Sequence, residues 1–168
     1  MEPGRDAMEL LKRVWMTEGP GDLILPVDPV QIARKLGMEV LHGDELGPEI
    51  SGVLRKPAGF ADAVIYLSPL DAVDRRRFTC AHALGHYSRN AEAGNTGEWE
   101  FVEGRDFFSA DLDPDESYAT EFAAELLMPR TALRELLDTR GVAALAAVFG
   151  VTGDVMGFRL GRIGLGAR

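Results

Sequence analysis

The sequence has few of the features that mark secreted, membrane-spanning or nucleic-acid-coating proteins. It contains one cysteine, Cys80, so no disulfide can form within the chain. The amino-terminal residues show no basic stretch followed by an apolar core, so we expect no signal peptide. No apolar run approaches the roughly 20 residues that a membrane-spanning helix needs. We therefore expect a cytoplasmic protein that has no membrane partner.

Positive charge is also scarce in this chain. Lysine and arginine number 18 against 27 acidic residues, which gives a formal net charge of −9. A protein of that charge repels the phosphate backbone, so we do not expect indiscriminate nucleic-acid binding. The hydrophobic content of 46% and the length of 168 residues are typical of one globular unit with its own core. We expect a single domain over residues 1–168.

Local sequence patterns predict an α+β fold in which helices are the majority. Apolar residues spaced three to four apart predict helices at 7–17, from Pro29 onward, at 74–90 and 115–128, from Thr131 onward, and at 141–149 and 153–163. Short β-branched or apolar runs predict strands at 38–42, 51–55 and 63–67. We expect a small, mostly antiparallel sheet of about three strands. Residues 91–115 contain scattered glycines and are expected to be irregular.

Two of the three histidines, His82 and His86, lie four residues apart in a predicted helix. Side chains at that spacing share one helix face, so two imidazoles can bind a single zinc ion. In the metallopeptidase motif H-E-x-x-H, the Glu after the first His is the general base. Here Ala83 occupies the Glu position. The sequence therefore keeps a metal-binding pair and lacks the proton-transfer group.

A catalytic zinc site commonly has three protein ligands, and the helix after the glycine-rich segment offers three glutamates. Glu116 shares a helix face with a stripe of small residues, which lets this helix lie close to the histidine helix. Glu125 is nine residues further on and points about 180° away. We therefore prefer Glu116 as the third ligand, with Glu121 as the fallback. The small residues of the stripe are Ala119, Thr120 and Ala123.

Two segments of the chain resemble the ImmA/IrrE-type zinc metallopeptidases. Residues 75–87 read RRRFTCAHALGHY and residues 116–129 read ESYATEFAAELLMP. The family patterns are R-x-F-T-x-A-H-E-L-G-H and E-x-x-A-x-x-F-A-A-E-L-L-M-P, and the second is long and specific. Residues 27–67 also look like the opening helix and short sheet of that family. The resemblance covers nearly the whole chain and implies a gluzincin-like fold.

The resemblance also implies a cofactor and a partner. It makes zinc the metal and His82, His86 and Glu116 its ligands. Members of the family cleave or otherwise relieve helix-turn-helix repressors, in stress responses or on mobile elements. The expected partner is therefore a helix-turn-helix transcriptional regulator, and direct DNA binding is not expected.

Ala83 is the departure from the family pattern. In that mechanism the Glu takes a proton from zinc-activated water and passes it to the leaving amine, so its loss costs roughly 10²–10⁴-fold in rate. Either a Glu→Ala change was introduced on purpose, or the protein lost the base naturally, and the intact remainder of the motif favours the first. We predict a zinc-dependent endopeptidase inactivated at this position. The alternative is a natural non-catalytic zinc-binding regulator that binds a transcription factor or a toxin partner.

The remaining polar and aromatic candidates receive structural roles. Tyr87 and Tyr118 flank the predicted site, where either hydroxyl could stabilise an oxyanion, but packing is favoured for both. Cys80 is interpreted as a small core residue. Residues 75–77 are expected to form a solvated helix start. Residues 149–163 have the rhythm of a helix-turn-helix, and a DNA-binding protein is our third and weakest hypothesis.

Overall fold

Seven helices and four strands are present in the part of the chain that the computed structural model describes, namely residues 2–16, 23–57, 62–94, 97–105, 113–137 and 141–165. In chain order they are α1 Pro3–Val14, α2 Pro29–Lys35, β1 Glu39–His42, β2 Ile50–Lys56, β3 Val64–Leu67, α3 Val73–Glu92, β4 Trp99–Gly104, α4 Pro114–Leu127, α5 Arg130–Leu137, α6 Val142–Phe149 and α7 Gly153–Arg162. This arrangement confirms the predicted α+β class with its majority of helices.

The sheet has the strand order β1-β3-β2-β4 and is mostly antiparallel, as predicted. β2 pairs antiparallel with both β3 and β4, whereas β1 pairs parallel with β3. The sheet has one strand more than the three predicted, because β4 lies in the segment expected to be irregular. That expectation is wrong for Trp99–Gly104. The turn predicted between β2 and β3 lies largely outside the described residues.

An aspartate N-cap followed by a proline fixes the start of both α2 and α4. The Asp28 side chain accepts hydrogen bonds from the backbone N–H groups of Val30 and Gln31, and Pro29 occupies the first helical position, as predicted. Asp113 caps α4 in the same way and is followed by Pro114. These caps satisfy N–H groups that have no partner inside the helix, so each helix begins at a defined residue.

The long helix α3 packs across one face of the sheet. A Cβ at Gly52 of β2 would lie 2.7 Å from the Thr79 methyl carbon of α3 and 2.8 Å from the carbonyl oxygen of Tyr66. Only glycine fits where helix and strand approach so closely. Phe78 of α3 and Ile65 of β3 are buried in the same layer. This packing holds α3 at a fixed height over the sheet.

The start of α3 is tied to distant segments by Arg77. Its guanidinium donates to the carbonyl oxygens of Val27 at 2.5 Å, Gly150 at 2.9 Å and Phe149 at 3.4 Å. Burial lowers the pKa of Arg77. The expectation of a solvated helix start is therefore wrong for this residue, which joins α3 to the end of α6.

The helices α6 and α7 meet at a bend of 104°. Within the described ranges, only this bent pair, taken jointly, has the length and apolarity of a membrane span, and no single helix does. Two arginines of α7 that the helix-turn-helix rhythm included form ion pairs inside the chain. Arg159 pairs with Glu125 and Arg162 pairs with Glu121. These contacts give the DNA-binding hypothesis no support.

Candidate metal centre

α3 places His82 and His86 side by side on one buried face. The two ring centroids are 4.9 Å apart with an interplanar angle of 80°, and both side chains are at most 1% exposed. The spacing of four residues accounts for this juxtaposition. Imidazoles this deeply buried need polar partners, and two neighbouring elements bring them.

α4 approaches α3 at backbone distance, as the stripe of small residues predicts. A Cβ at Gly85 would lie 2.8 Å from the Ala119 Cα and 3.1 Å from its carbonyl oxygen. One residue further along α4, the Thr120 hydroxyl oxygen lies 3.2 Å from His82 Nε2. The close approach therefore brings the polar side chains of α4 within reach of both histidines.

Glu116, in the first turn of α4, faces the two imidazoles. Its Oε1 lies 3.2 Å from His86 Nε2 and its Oε2 lies 3.6 Å from His82 Nε2. The neighbouring His86 side chain is the largest influence on Glu116 and lowers the pKa of its carboxyl group, against the opposing effect of burial. The carboxylate is therefore ionised at neutral pH, which is the form that binds a metal ion.

The other two glutamates considered as third ligand have different partners. Glu121 lies 2.6 Å from Arg162 Nε. Glu125 pairs with Arg159 and accepts a hydrogen bond of 3.1 Å from the backbone N–H of Arg130. Both carboxylates thus connect α4 to the carboxyl-terminal helices, and Glu116 alone of the three faces the histidines.

β4 covers the histidine-bearing face with alternate side chains. Its burial pattern has period two, so that Trp99, Phe101 and Glu103 face inward. The Phe101 ring stacks on His86 with a centroid distance of 4.3 Å. The Trp99 ring lies 6.3 Å from that of Tyr87. The third inward residue, Glu103, therefore also lies over α3.

Glu103 brings a second carboxylate to the histidine pair and was missed by the sequence analysis. Its side chain is 2% exposed, with Oε2 at 2.5 Å from His82 Nδ1 and Oε1 at 3.6 Å from His86 Nε2. Glu103 lies two residues after Phe101 and four after Trp99, and an alternating strand places side chains at that spacing on one face. The nearby glycines and the charge of Glu103 interrupt the apolar alternation by which a strand is recognised in a sequence.

The donor set fits zinc. One ligand atom from each of four side chains lies within 4.8 Å of the others: His82, His86, Glu103 and Glu116. Among the described residues, Glu103 Oε1 is buried without a hydrogen-bond partner, which is costly unless a cation compensates. Tetrahedral zinc with ligands at about 2 Å separates its donors by about 3.3 Å. The 3.2 and 3.6 Å distances at Glu116 lie on either side of that value.

The remaining predicted site residues surround this cluster. Ala83 follows His82 and is fully buried. The Tyr118 hydroxyl donates a 2.8 Å hydrogen bond to Asp6 of α1, and Tyr87 packs near Trp99. These contacts favour the packing roles preferred for both tyrosines, whose part in catalysis stays a prediction.

Cys80 does not offer the cluster a ligand. Its side chain is fully buried, and burial raises the pKa of the thiol to about 12. The thiolate that a metal ion requires is therefore strongly disfavoured at neutral pH. This agrees with the interpretation of Cys80 as a core residue.

Comparison with known proteins agrees with this geometry. The sequence profile of the IrrE N-terminal-like domain, a peptidase family, matches residues 33–161. A solved structure described as a Mycobacterium tuberculosis transcriptional regulator shares the fold, with a TM-score of 0.61 and 17% identity over 94% of this chain. The match covers 46% of that regulator, so the present chain corresponds to less than half of it. No curated protein sequence matches the chain. The resemblance inferred from the two motifs is confirmed, and the chain belongs to the IrrE N-terminal-like domain family of metallopeptidases.

Proposed function

We propose that this chain is a zinc-dependent endopeptidase of the ImmA/IrrE type whose general-base position holds Ala83. Its partner is a helix-turn-helix transcriptional regulator. The observation that carries the proposal is the convergence of His82, His86 and Glu116 at a buried point directly beside residue 83. Membership in the peptidase family supports the same assignment.

Each element has a definite part in this proposal. His82 and His86 hold the metal from α3, and Glu116 holds it from α4. Zinc bound there would polarise a substrate carbonyl and lower the pKa of a water molecule. The Ala83 methyl group cannot accept the proton that hydrolysis releases. The chain is therefore equipped to bind metal and is deficient in proton transfer.

The test is restoration of the base. We expect the unmutated chain and Ala83→Glu to bind one zinc ion each, and Ala83→Glu to cleave its regulator about 10²–10⁴-fold faster. Metal content and cleavage of candidate helix-turn-helix regulators are the measurements. Ala83→Gln is the matched control, because it supplies the same bulk without a base. The proposal fails if zinc-loaded Ala83→Glu cleaves no faster than Ala83→Gln.

A second candidate is a natural regulator that binds zinc and acts without cleavage. The observation that favours it is Ala83 itself, since the ligands are kept where the base is absent. Such a protein would bind its transcription factor or toxin partner and change that partner's activity while leaving it intact. Titration of the partner into the unmutated chain, followed by analysis of the partner's mass, distinguishes the two candidates.

A further inference from the structure

We propose that Glu103 is a fourth protein ligand of the metal and occupies the coordination position that catalytic zinc sites leave open. This inference rests on the metal binding in the proposed function. Glu103 lies between the two family motifs, at residues 75–87 and 116–129, and belongs to neither. Four protein ligands are the mark of a closed zinc site, whereas three are typical of a catalytic one.

The contacts of Glu103 carry the inference. Its Oε1 lies 3.6 Å from His86 Nε2, close to the donor separation at one zinc ion, and is the ligand atom. Oε2 lies 2.5 Å from His82 Nδ1, the ring nitrogen opposite the Nε2 that faces Glu116, and orients that ring. The side chain is 2% exposed, and within the described part of the chain Oε1 has no hydrogen-bond partner. A buried carboxylate left in that condition is costly, and a shared cation removes the cost.

The backbone of β4 fixes the direction of this side chain. Glu103 pairs with Gly52 of β2, and Phe101, two residues earlier, stacks on His86 from the same side of the strand. Successive residues of a strand point to opposite faces, so Glu103 is held on the histidine side. Charge agrees with the assignment, because Glu103 and Glu116 together balance one divalent cation.

A fourth ligand has a consequence for any peptidase activity. Substrate can reach the metal only when Glu103 is withdrawn. β4 is at the edge of the described sheet and pairs there with β2 alone, so no described strand holds its other edge. Glu103 would then keep the site closed until a substrate or partner displaces β4.

The test uses Co²⁺ in place of zinc in the full chain, with azide as an external ligand. We expect azide to leave the visible spectrum of the unmutated protein unchanged, because no coordination position is open. In Glu103→Gln that position opens, and azide should change the spectrum in a saturable way. Glu100→Gln, on the exposed face of the same strand, is the matched control and should behave like the unmutated chain.

Each outcome decides one question. If azide changes the spectrum of the unmutated protein, Glu103 is not a ligand and at most orients His82. If azide changes neither spectrum, something other than Glu103 closes the site, and the inference also fails. If the chain binds no metal at all, the proposed function fails with it. Should Glu103→Gln not fold, Glu103→Asp, which withdraws the carboxylate by one methylene, takes its place.

The same inference refines the cleavage experiment. Ala83→Glu regains the general base, but Glu103 still occupies the fourth coordination position of the metal. We therefore expect Ala83→Glu to cleave the regulator more slowly than the double variant Ala83→Glu with Glu103→Gln. Parallel assays of the two proteins against the same regulator measure this difference. Equal measurable rates would mean that Glu103 does not obstruct the site, whereas cleavage by neither variant would overturn the proposed function.

Discussion

α4 and β4 both pack on α3 and each brings one carboxylate to the histidine pair, but they do so through different contacts. α4 meets α3 at backbone distance, where Gly85 and Ala119 leave no room for a side chain. β4 meets α3 through large side chains, with Phe101 stacked on His86. A contact between backbones permits little relative motion, whereas stacked side chains can separate and re-form. On the proposal that Glu103 is displaced to open the site, Glu116 is the fixed carboxylate and Glu103 the movable one.

The surroundings of the two elements point in the same direction. α4 is also held by α1, through the hydrogen bond from Tyr118 to Asp6, and by α7, through the pair of Glu125 and Arg159. β4 has backbone pairing with β2 alone among the described strands. Under the same proposal, the α4 side of the metal centre is its rigid half and the β4 side is its movable half.

The rigid half depends most on the buried ion pair between Glu125 and Arg159. Their side chains are 13% and 4% exposed. Glu125→Gln should lower the free energy of unfolding by about 3–5 kcal/mol, because it leaves the Arg159 charge buried without a counter-charge. Urea unfolding followed by circular dichroism measures the change.

Glu121→Gln is the matched control for that experiment, since Glu121 also pairs with an arginine of α7. Its partner Arg162 is 56% exposed, so the loss should stay below about 1 kcal/mol. Equal losses in the two variants would contradict the view that α7 holds α4 through Arg159.

The contact between α3 and α4 gives the next largest effect. A Cβ at Gly85 would lie 2.8 Å from the Ala119 Cα. Gly85→Ala should therefore force the helices apart and destabilise the fold by about 1–3 kcal/mol. Gly157→Ala in α7, where a Cβ meets nothing within 4 Å, should instead stabilise by up to about 1 kcal/mol. A stabilising Gly85→Ala would refute the backbone contact.

The sequence predicts the rigid half well for a physical reason. The spacing of His82 and His86 and the small side chains beside Glu116 are local patterns, readable within a few turns of one helix. Helix periodicity then selects Glu116 over Glu125, and the structure brings Glu116 to the histidines. The same reasoning placed α2 correctly, because the Asp28 cap acts within three residues.

The movable half escaped the sequence analysis because its position depends on distant residues. β4 is a strand only because β2, more than 40 residues earlier, pairs with it. Its inward positions hold Trp99, Phe101 and the charged Glu103, so the apolar alternation that marks a strand is broken at the site. Arg77 was misassigned for a similar reason, since its carbonyl partners at Val27 and Gly150 are far away in the sequence.

Loss of the stacking between β4 and α3 should have a smaller effect on stability. Phe101→Leu keeps most of the apolar volume but removes the ring that stacks on His86, so it should cost about 0.5–1.5 kcal/mol. Val102→Thr, on the outward face and 54% exposed, should stay within about 0.5 kcal/mol. Thermal unfolding of both variants measures the difference. A larger loss from the outward change would mean that β4 packs on α3 with its other face.

The smallest effect concerns the cap that fixes the start of α4, and with it Glu116. The Asp113 carboxylate accepts hydrogen bonds from the N–H groups of Glu116 at 3.0 Å and Asp115 at 2.8 Å, and these bonds lower the pKa of Asp113. A pKa lowered by folding means that the ionised cap stabilises the protein above the unfolded pKa of about 3.9, and that this stabilisation is lost as the pH falls through the folded value.

Asp113→Asn separates the charge of the cap from its hydrogen bonding. Asparagine still caps the helix but does not titrate, so the unmutated chain should have the higher Tm at pH 7 and should lose that advantage below about pH 4. The other ionisable groups are common to both proteins, so their contributions largely cancel in the Tm difference. A difference that stays constant from pH 7 to pH 3 would show that the Asp113 charge does not stabilise α4. The rigid half would then depend on its packing with α1, α3 and α7 alone.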